Sequence, residues 1–151
     1  MQNLTILRKK EVKNILSLLN KQFNFKDKLD YVFLQNEKGK IFIANKDVFD
    51  IDFKKIRINN IGLYFGQLRD NELRLSIEGS QLIGPYSKKN ILELTNKQKE
   101  EWMKGIDISY NGKSGFVLIK YENDFIGCGK ITKDKILNFV PKERRLKVVN
   151  D

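Results

Sequence analysis

A chain of 151 residues can bury a core, and 40% hydrophobic residues with two prolines are typical of a folded protein. The net charge of +10 favours polyanionic partners, although a Lys-rich composition that serves only solubility gives the same excess. No apolar run approaches the roughly 18–20 residues that span a bilayer, no signal-peptide core opens the chain, and one cysteine forms no internal disulfide. We therefore expect a cytoplasmic protein without membrane contact, and we expect a monomer.

The first half of the chain predicts a helix followed by two β-hairpins. In KKEVKNILSLLNKQF, apolar residues recur at helical spacing, which predicts an amphipathic helix over residues 9–23. Tyr31–Leu34 and Lys40–Ala44 flank a turn-forming segment and predict the first hairpin. GLYFGQLRDNELRLSIEG predicts the second hairpin, whose last strand alternates apolar and polar residues as far as Ile77. Residues 1–86 are therefore expected to form an α/β domain.

The second half predicts one short helix among several strands. Residues 83–90 carry a Gly-Pro pair and are predicted to be the hinge between the halves. In TNKQKEEWMKG, Thr95 can cap a helix with Gln98 in a capping box, and Gly105 can end it in the left-handed conformation. GFVLIKY, DFIGCGKI and ILNFV predict strands. Residues 87–151 are therefore expected to form a small mixed β pseudo-barrel, so the whole chain is expected to be α+β.

Catalytic chemistry finds little support in the residues. The chain has no histidine, and Cys128 is its single cysteine, so the commonest general base and the usual zinc ligands are missing. GCGK lacks the glycine spacing and the Lys-Ser/Thr pair of a phosphate-binding loop. We expect no catalytic residue, no metal and no cofactor. Cys128 is interpreted as a small residue in a close-packed strand, and the alternative is a nucleophile that would need an activating partner.

Other residues in the second half are candidates for close contact. Gly127 and Gly129 place their missing side chains on one face of a strand, where another chain or a ligand can pack closely. Tyr86 is a candidate to stack on a base while the lysines after it hold phosphate, and the alternative is a tyrosine packed between the halves. The segment PKERRLK adds two arginines that can bind phosphate bidentately, although a solubility tail has the same composition.

The run from Lys89 to Leu146 resembles a PUA domain, a small pseudo-barrel RNA-binding module. The matching pattern is NILEL, the helix KQKEEWMKG running into IDI, then GFVLIKY, DFIGCGKI and LNFVPKERRL. Its most characteristic parts are the Gly-x-Asp step that begins at Gly105 and the aliphatic-Gly-x-Gly strand that begins at Ile126. The preceding half is similar to the pre-PUA region of archaeal proteins. Those proteins are related to the ribosome-biogenesis factor of the pre-PUA plus PUA type and to RNA-binding extensions of Sun-family RNA cytosine-5 methyltransferases.

The resemblance implies that RNA lies against the corner between the helix and the next strand, with the basic flank of the terminal strand nearby. No methyltransferase domain is expected in this chain. We predict a non-catalytic protein that binds structured ribosomal or transfer RNA during maturation or modification, with an RNA methyltransferase or a ribosome-assembly factor as a protein partner. The alternative is an adaptor whose main contact is such a protein, with Leu63, Tyr64 and Phe65 as exposed anchors. The predicted RNA contacts are Tyr86, Lys88, Lys89, Lys104, Gly105, Asp107, Lys130, Lys142, Arg144 and Arg145.

Overall fold

The computed structural model describes residues 4–46 and 62–146. In this part of the chain, two five-stranded sheets combine with three α-helices, which confirms the predicted α+β class. The first sheet has the order β1 (Thr5–Ile6), β2 (Val32–Gln35), β3 (Lys40–Ala44), β4 (Leu63–Arg69), β5 (Glu72–Leu75). The second sheet has the order β6-β8-β9-β10-β7, with β6 (Ile91–Glu93), β7 (Ile108–Ser109), β8 (Gly115–Tyr121), β9 (Asp124–Thr132) and β10 (Lys135–Leu137). The helices are α1 (Lys9–Phe23), α2 (Ile77–Ile83) and α3 (Asn96–Met103), and 3-10 helices cover Gly84–Tyr86 and Lys142–Arg144.

Helix α1 forms as the sequence pattern predicts and is fastened to the first sheet. The carboxylate of Glu11 accepts the backbone N–H of Arg8 at 3.0 Å, which satisfies a donor at the open end of the helix. Its buried face consists of Ile15, Leu18, Leu19 and Phe23. From the adjoining face, the Gln22 amide donates to the carbonyl of Leu73 at 2.8 Å and accepts the N–H of Leu73 at 2.9 Å. Both hydrogen bonds hold α1 against β5.

Helix α2 replaces the end of the predicted second hairpin. The strand stops at Leu75, and the prediction that Ile77 continues it is wrong, because Ser76 caps a helix there. Ser76 Oγ accepts the N–H of Gly79 at 2.9 Å and donates to the carbonyl of Tyr64 at 2.6 Å. Since serine competes for backbone hydrogen bonds of this kind, it favours helix starts over strand interiors. The helix packs against β4 and β9 and so lies between the sheets.

Residues 83–90, predicted to be a hinge, are held to neighbouring elements by hydrogen bonds. Ser87 is buried and donates through Oγ to the carbonyl of Ile83 at 2.8 Å, while the N–H of Lys88 donates to the carbonyl of Phe23 at 3.0 Å. One core cluster also joins both sides of this segment, and it includes Phe65, Leu75, Leu118, Phe125 and Cys128. The domain division at residues 86 and 87 stays a prediction.

The second sheet curls around Trp102 of α3. Val117, Ile119, Ile131 and Ile136 surround the fully buried indole. A Cβ at Gly129 would lie 2.9 Å from Trp102 Cη2 and 3.0 Å from the carbonyl oxygen of Leu137, so glycine is needed for this close approach. The predicted close contact at Gly127 and Gly129 is therefore confirmed, and the group that packs there is the protein's own tryptophan.

The last predicted strand is shorter than expected, because Asn138 leaves the sheet. Its amide donates to the carbonyls of Trp102 at 2.8 Å and Ile106 at 3.0 Å. These side-chain bonds replace the next rung of the strand ladder. Two short strands, β1 and β7, were not predicted, since two residues carry no detectable alternation.

Candidate nucleic-acid interface

The corner after α3 has the geometry that its sequence predicts. Thr95 and Gln98 form the expected capping box, in which Thr95 Oγ1 accepts the N–H of Gln98 at 3.2 Å. Lys104 is the C-cap, and Gly105 follows with φ +87°, a left-handed value that favours glycine. The chain therefore turns sharply at Gly105 and leaves the exposed side chain of Lys104 at the corner.

The segment after β10 folds back onto this corner. The N–H of Leu146 donates to the carbonyl of Met103 at 2.8 Å, and Arg145 Nε donates to the carbonyl of Val140 at 3.0 Å. The Arg145 side chain crosses Gly105 so closely that a Cβ on Gly105 would lie 2.6 Å from Arg145 Cδ. The structure thus brings Arg145 to Lys104 and Gly105, and the exposed Lys142 begins the 3-10 helix that ends just before Arg145. We name these four residues the corner surface.

Asp107 stands beside the corner surface and holds it in shape. Asp107 Oδ1 accepts the backbone N–H of Asn138 at 2.8 Å, and Asp107 Oδ2 lies 3.7 Å from Lys135 Nζ. These contacts tie the corner to β10. A carboxylate repels phosphate, so its observed partners support a positioning role, and its predicted contact with RNA stays a prediction.

Tyr86, Lys88 and Lys89 lie at a different place, near the C-terminal end of α1. Lys89 Nζ donates to the carbonyl of Lys21 at 3.0 Å, a favourable position for a cation at the negative end of a helix. The Tyr86 side chain is 58% exposed, which contradicts the alternative in which it packs between the halves. These three residues therefore form a second exposed group.

Lys130 and Arg144 face neighbouring elements and are already paired. Arg144 forms an ion pair with Glu78 of α2. Lys130 Nζ lies 3.9 Å from Glu72 Oε2 and 5.2 Å from the centroid of the Phe116 ring. The ten predicted RNA-binding residues thus do not share one surface, and the corner surface gathers four of them, the largest group.

A cleft between the two sheets was missed by the sequence analysis. Its volume is about 600 Å³, and Lys40, Tyr64, Arg74, Trp102, Phe139 and Arg144 are among the residues that line it. We name it the inter-sheet cleft. These residues come from β3, β4, β5, α3 and the segment after β10, so no short sequence pattern connects them.

A cationic side chain lies over each of two aromatic rings in the cleft. Lys40 Nζ lies 5.6 Å from the centroid of the Tyr64 ring. The Arg74 guanidinium lies 4.4 Å from the centroid of Phe139 and also donates to Gln67 Oε1 at 3.0 Å. Both distances are within the range of cation–π attraction.

Cys128 is a packing residue, as interpreted from the sequence. Its side chain is buried at 4% exposure, and burial raises the pKa of the thiol to about 12. The thiol is therefore protonated at neutral pH, which contradicts the alternative of an activated nucleophile. Across residues 4–46 and 62–146, no three His, Cys, Asp or Glu side chains come together in a group suited to a metal ion. The helices in these residues are also too short or too polar to cross a membrane.

A family model decides the assignment of the second sheet and α3. Residues 89–146 match the family described as the PUA domain of methyltransferase RsmF. This segment is therefore similar to the PUA domain of that methyltransferase. The resemblance stated from the sequence is confirmed over these residues, and its corner is the turn at Gly105 described above.

Curated relatives extend the likeness into the first half of the chain. Ribosomal RNA small subunit methyltransferase F of Vibrio cholerae serotype O1 is 29% identical over 91 residues, which cover 59% of this chain and 19% of the relative. The protein of the same name from Vibrio campbellii is 27% identical over 121 residues, which cover 71% of this chain and 25% of the relative. The chain thus spans about a fifth to a quarter of the length of the relatives it matches. The predicted relation to extensions of Sun-family methyltransferases is confirmed, and the relation to an archaeal ribosome-biogenesis factor stays a prediction.

Proposed function

We propose that this protein binds structured ribosomal RNA through the corner surface of its PUA domain and catalyses no reaction by itself. The observation that carries the proposal is the Arg145 side chain lying across Gly105, which brings a second cation to the turn that follows the exposed Lys104. The choice of ribosomal RNA is supported by the name of the relatives, which are ribosomal RNA methyltransferases.

The corner surface suits phosphate contact on physical grounds. Lys104 and Lys142 are exposed, so their ammonium groups can approach a phosphate without rearranging the core. Arg145 is half-buried, and its bond to Val140 fixes the position of the guanidinium, which lowers the entropy lost on binding. A phosphate would use the two terminal nitrogens of Arg145, because Nε is occupied by the Val140 carbonyl.

Charge reversal of two lysines tests the corner surface. In the double variant Lys104→Glu and Lys142→Glu, affinity for a structured ribosomal RNA fragment should fall by about tenfold or more at low salt. The slope of log affinity against log salt should become shallower by about 0.7 to 0.9 for each phosphate that the variant no longer neutralises. Fluorescence anisotropy of a labelled RNA across a salt series measures both quantities.

A matched control separates the site from net charge. Lys26→Glu with Lys28→Glu changes the net charge by the same amount on exposed lysines that follow α1, and it should leave the slope close to that of the original protein. Equal effects of the two double variants would reject the corner surface as the contact region. A transfer RNA that binds as tightly as the ribosomal fragment would reject the choice of RNA.

The second candidate is an RNA-recognition partner for a separate RNA methyltransferase, and the relatives' own activity favours it. The predicted protein anchor needs correction, because Phe65 is fully buried and packs edge-on against Phe33 with centroids 6.0 Å apart. Leu63 is 44% exposed and remains available as an anchor. A complex that survives nuclease during size-exclusion chromatography and is abolished by Leu63→Ser would support this candidate.

A further inference from the structure

We propose that the inter-sheet cleft binds one unstacked RNA nucleotide, whose base accepts a hydrogen bond from the indole N–H of Trp102. This inference rests on the proposed RNA binding and adds what the cleft recognises. It concerns residues between the two sheets, separate from the corner surface.

The indole of Trp102 supplies the first observation. Within residues 4–46 and 62–146, Trp102 Nε1 is the single buried side-chain nitrogen or oxygen that has no hydrogen-bond partner. A buried donor without a partner costs free energy, so such groups mark places where a ligand supplies what the protein lacks. Nε1 is the indole atom nearest to the empty side-chain position of Gly127, at 3.3 Å from an ideal Cβ, and both residues line the cleft. The unpaired N–H therefore faces the side-chain position of Gly127, a residue of the cleft wall.

The walls of the cleft supply the second observation. Tyr64 and Phe139 are half-buried rings that line the cleft, and each has a cation against it. Flat bases that have left a helix stack on aromatic side chains and on guanidinium planes. A volume of about 600 Å³ lies within the usual range for small-molecule sites, so the space is adequate for one nucleotide.

The charges of the cleft favour a nucleotide over an uncharged aromatic ligand. Lys40, Arg74 and Arg144 line it, together with Glu78 and Glu143. A phosphate can pair with Lys40, whose present contact is the Tyr64 ring, while Arg144 is held by Glu78. Every base has ring nitrogens or carbonyl oxygens that accept a hydrogen bond, which matches the donor of Trp102.

The tryptophan itself reports whether the cleft is occupied, because it is the only one in the chain. The probes are a set of RNA hairpins with one bulged nucleotide, one for each of the four bases, and the same hairpin with an abasic residue at the bulge. Anisotropy of a label on the RNA measures total binding, and Trp102 emission measures contact in the cleft. We expect at least one bulged base to bind about tenfold more tightly than the abasic RNA and to change the emission, which the abasic RNA should leave unaltered.

Two variants assign that difference to the cleft. Trp102→Phe keeps an aromatic ring without the N–H, and Phe139→Leu removes one stacking surface from a half-buried position. Each should bring the affinity for the bulged RNA close to that for the abasic RNA. Tyr121→Leu is the control, because Tyr121 also lies under a cation, with Lys99 Nζ 5.2 Å from its centroid, but stands outside the cleft. If Trp102→Phe does not fold, the Phe139→Leu variant and the comparison of bulged with abasic RNA still test whether a base binds in the cleft.

The outcomes separate this inference from the proposed function. Equal binding of all hairpins with unchanged Trp102 emission would overturn the proposal that the cleft binds a nucleotide. The proposal of RNA binding at the corner surface would remain intact. Absence of binding by every hairpin would overturn the proposed function. If no hairpin binds but a free nucleoside monophosphate changes the emission, the RNA inference is wrong and the cleft is a mononucleotide site.

Discussion

The corner surface and the inter-sheet cleft hold their cations in opposite ways. At the corner, Lys104 and Lys142 extend into solvent, and Arg145 is anchored through a backbone carbonyl. In the cleft, Arg74 lies on an aromatic ring and bonds to Gln67, and Arg144 is paired with a carboxylate. Exposed cations release counterions when they meet phosphate, so their binding depends on salt, whereas stacking in a shielded cleft depends on it little. The comparison predicts that RNA contact at the corner surface depends more steeply on salt than RNA contact in the cleft.

The largest expected effect comes from Trp102, which supports both regions. Its ring lines the cleft, and its carbonyl accepts the Asn138 amide that braces the corner. Trp102→Ala should lower the free energy of unfolding by about 3–5 kcal/mol, because a fully buried aromatic ring is removed. Chemical denaturation measures this, with the half-buried Phe139→Ala as a control that should lose much less. A loss below about 1 kcal/mol for Trp102→Ala would show that the two regions do not depend on a common support.

Cys128, which lines the inter-sheet cleft, makes the stability of the protein depend on pH. Because burial raises the pKa of its thiol from 9.0 to about 12, the folded state favours the protonated form. This contribution to stability is complete below pH 9 and is lost as the pH rises toward 12, since the unfolded thiol ionises first. At pH 11 the loss should approach about 2–3 kcal/mol, at 1.36 kcal/mol for each pH unit above 9.

The difference between the original protein and Cys128→Ala isolates this contribution, since tyrosines and lysines titrate in both. Denaturation at pH 8 and pH 11 should show a larger drop for the original protein. An equal drop in both proteins would mean that the thiol ionises freely in the folded state.

A smaller effect is expected on the corner side from Gly105→Ala. The substitution strains a residue with φ +87° and pushes on Arg145, so stability should fall by about 1 kcal/mol and RNA affinity should fall with it. Gly105→Asn separates the two causes, because asparagine tolerates the left-handed conformation while its Cβ still meets Arg145. Full RNA affinity in Gly105→Asn, measured by anisotropy, would show that the position of Arg145 is unimportant.

Local patterns predicted the corner better than the cleft, for a physical reason. The capping box of Thr95 and the turn at Gly105 depend on neighbours in sequence, so residue order alone reveals them. The residues that line the cleft come together only through strand pairing and through the packing of α2 between the two sheets. Residue order does not contain that information, which is why Lys40 and Arg74 were not recognised.

The errors in the first half have the same origin. Phe65 was expected to be an exposed anchor, but its side chain lies in the core cluster that includes the buried face of α1, and the start of α2 at Ile77 was predicted as strand. Alternation along a strand shows that two faces differ and does not show which one another element covers.

The two hydrogen bonds between the Gln22 side chain and the backbone of Leu73 have a consequence for solubility. β5 is the outer strand of the first sheet, and outer strands present free N–H and C=O groups to which a second chain can add. The side-chain amide of Gln22 occupies both backbone groups of Leu73, so it takes the place of a neighbouring strand at that point. A single glutamine on a helix thus closes one step of an edge that would otherwise be open to self-association.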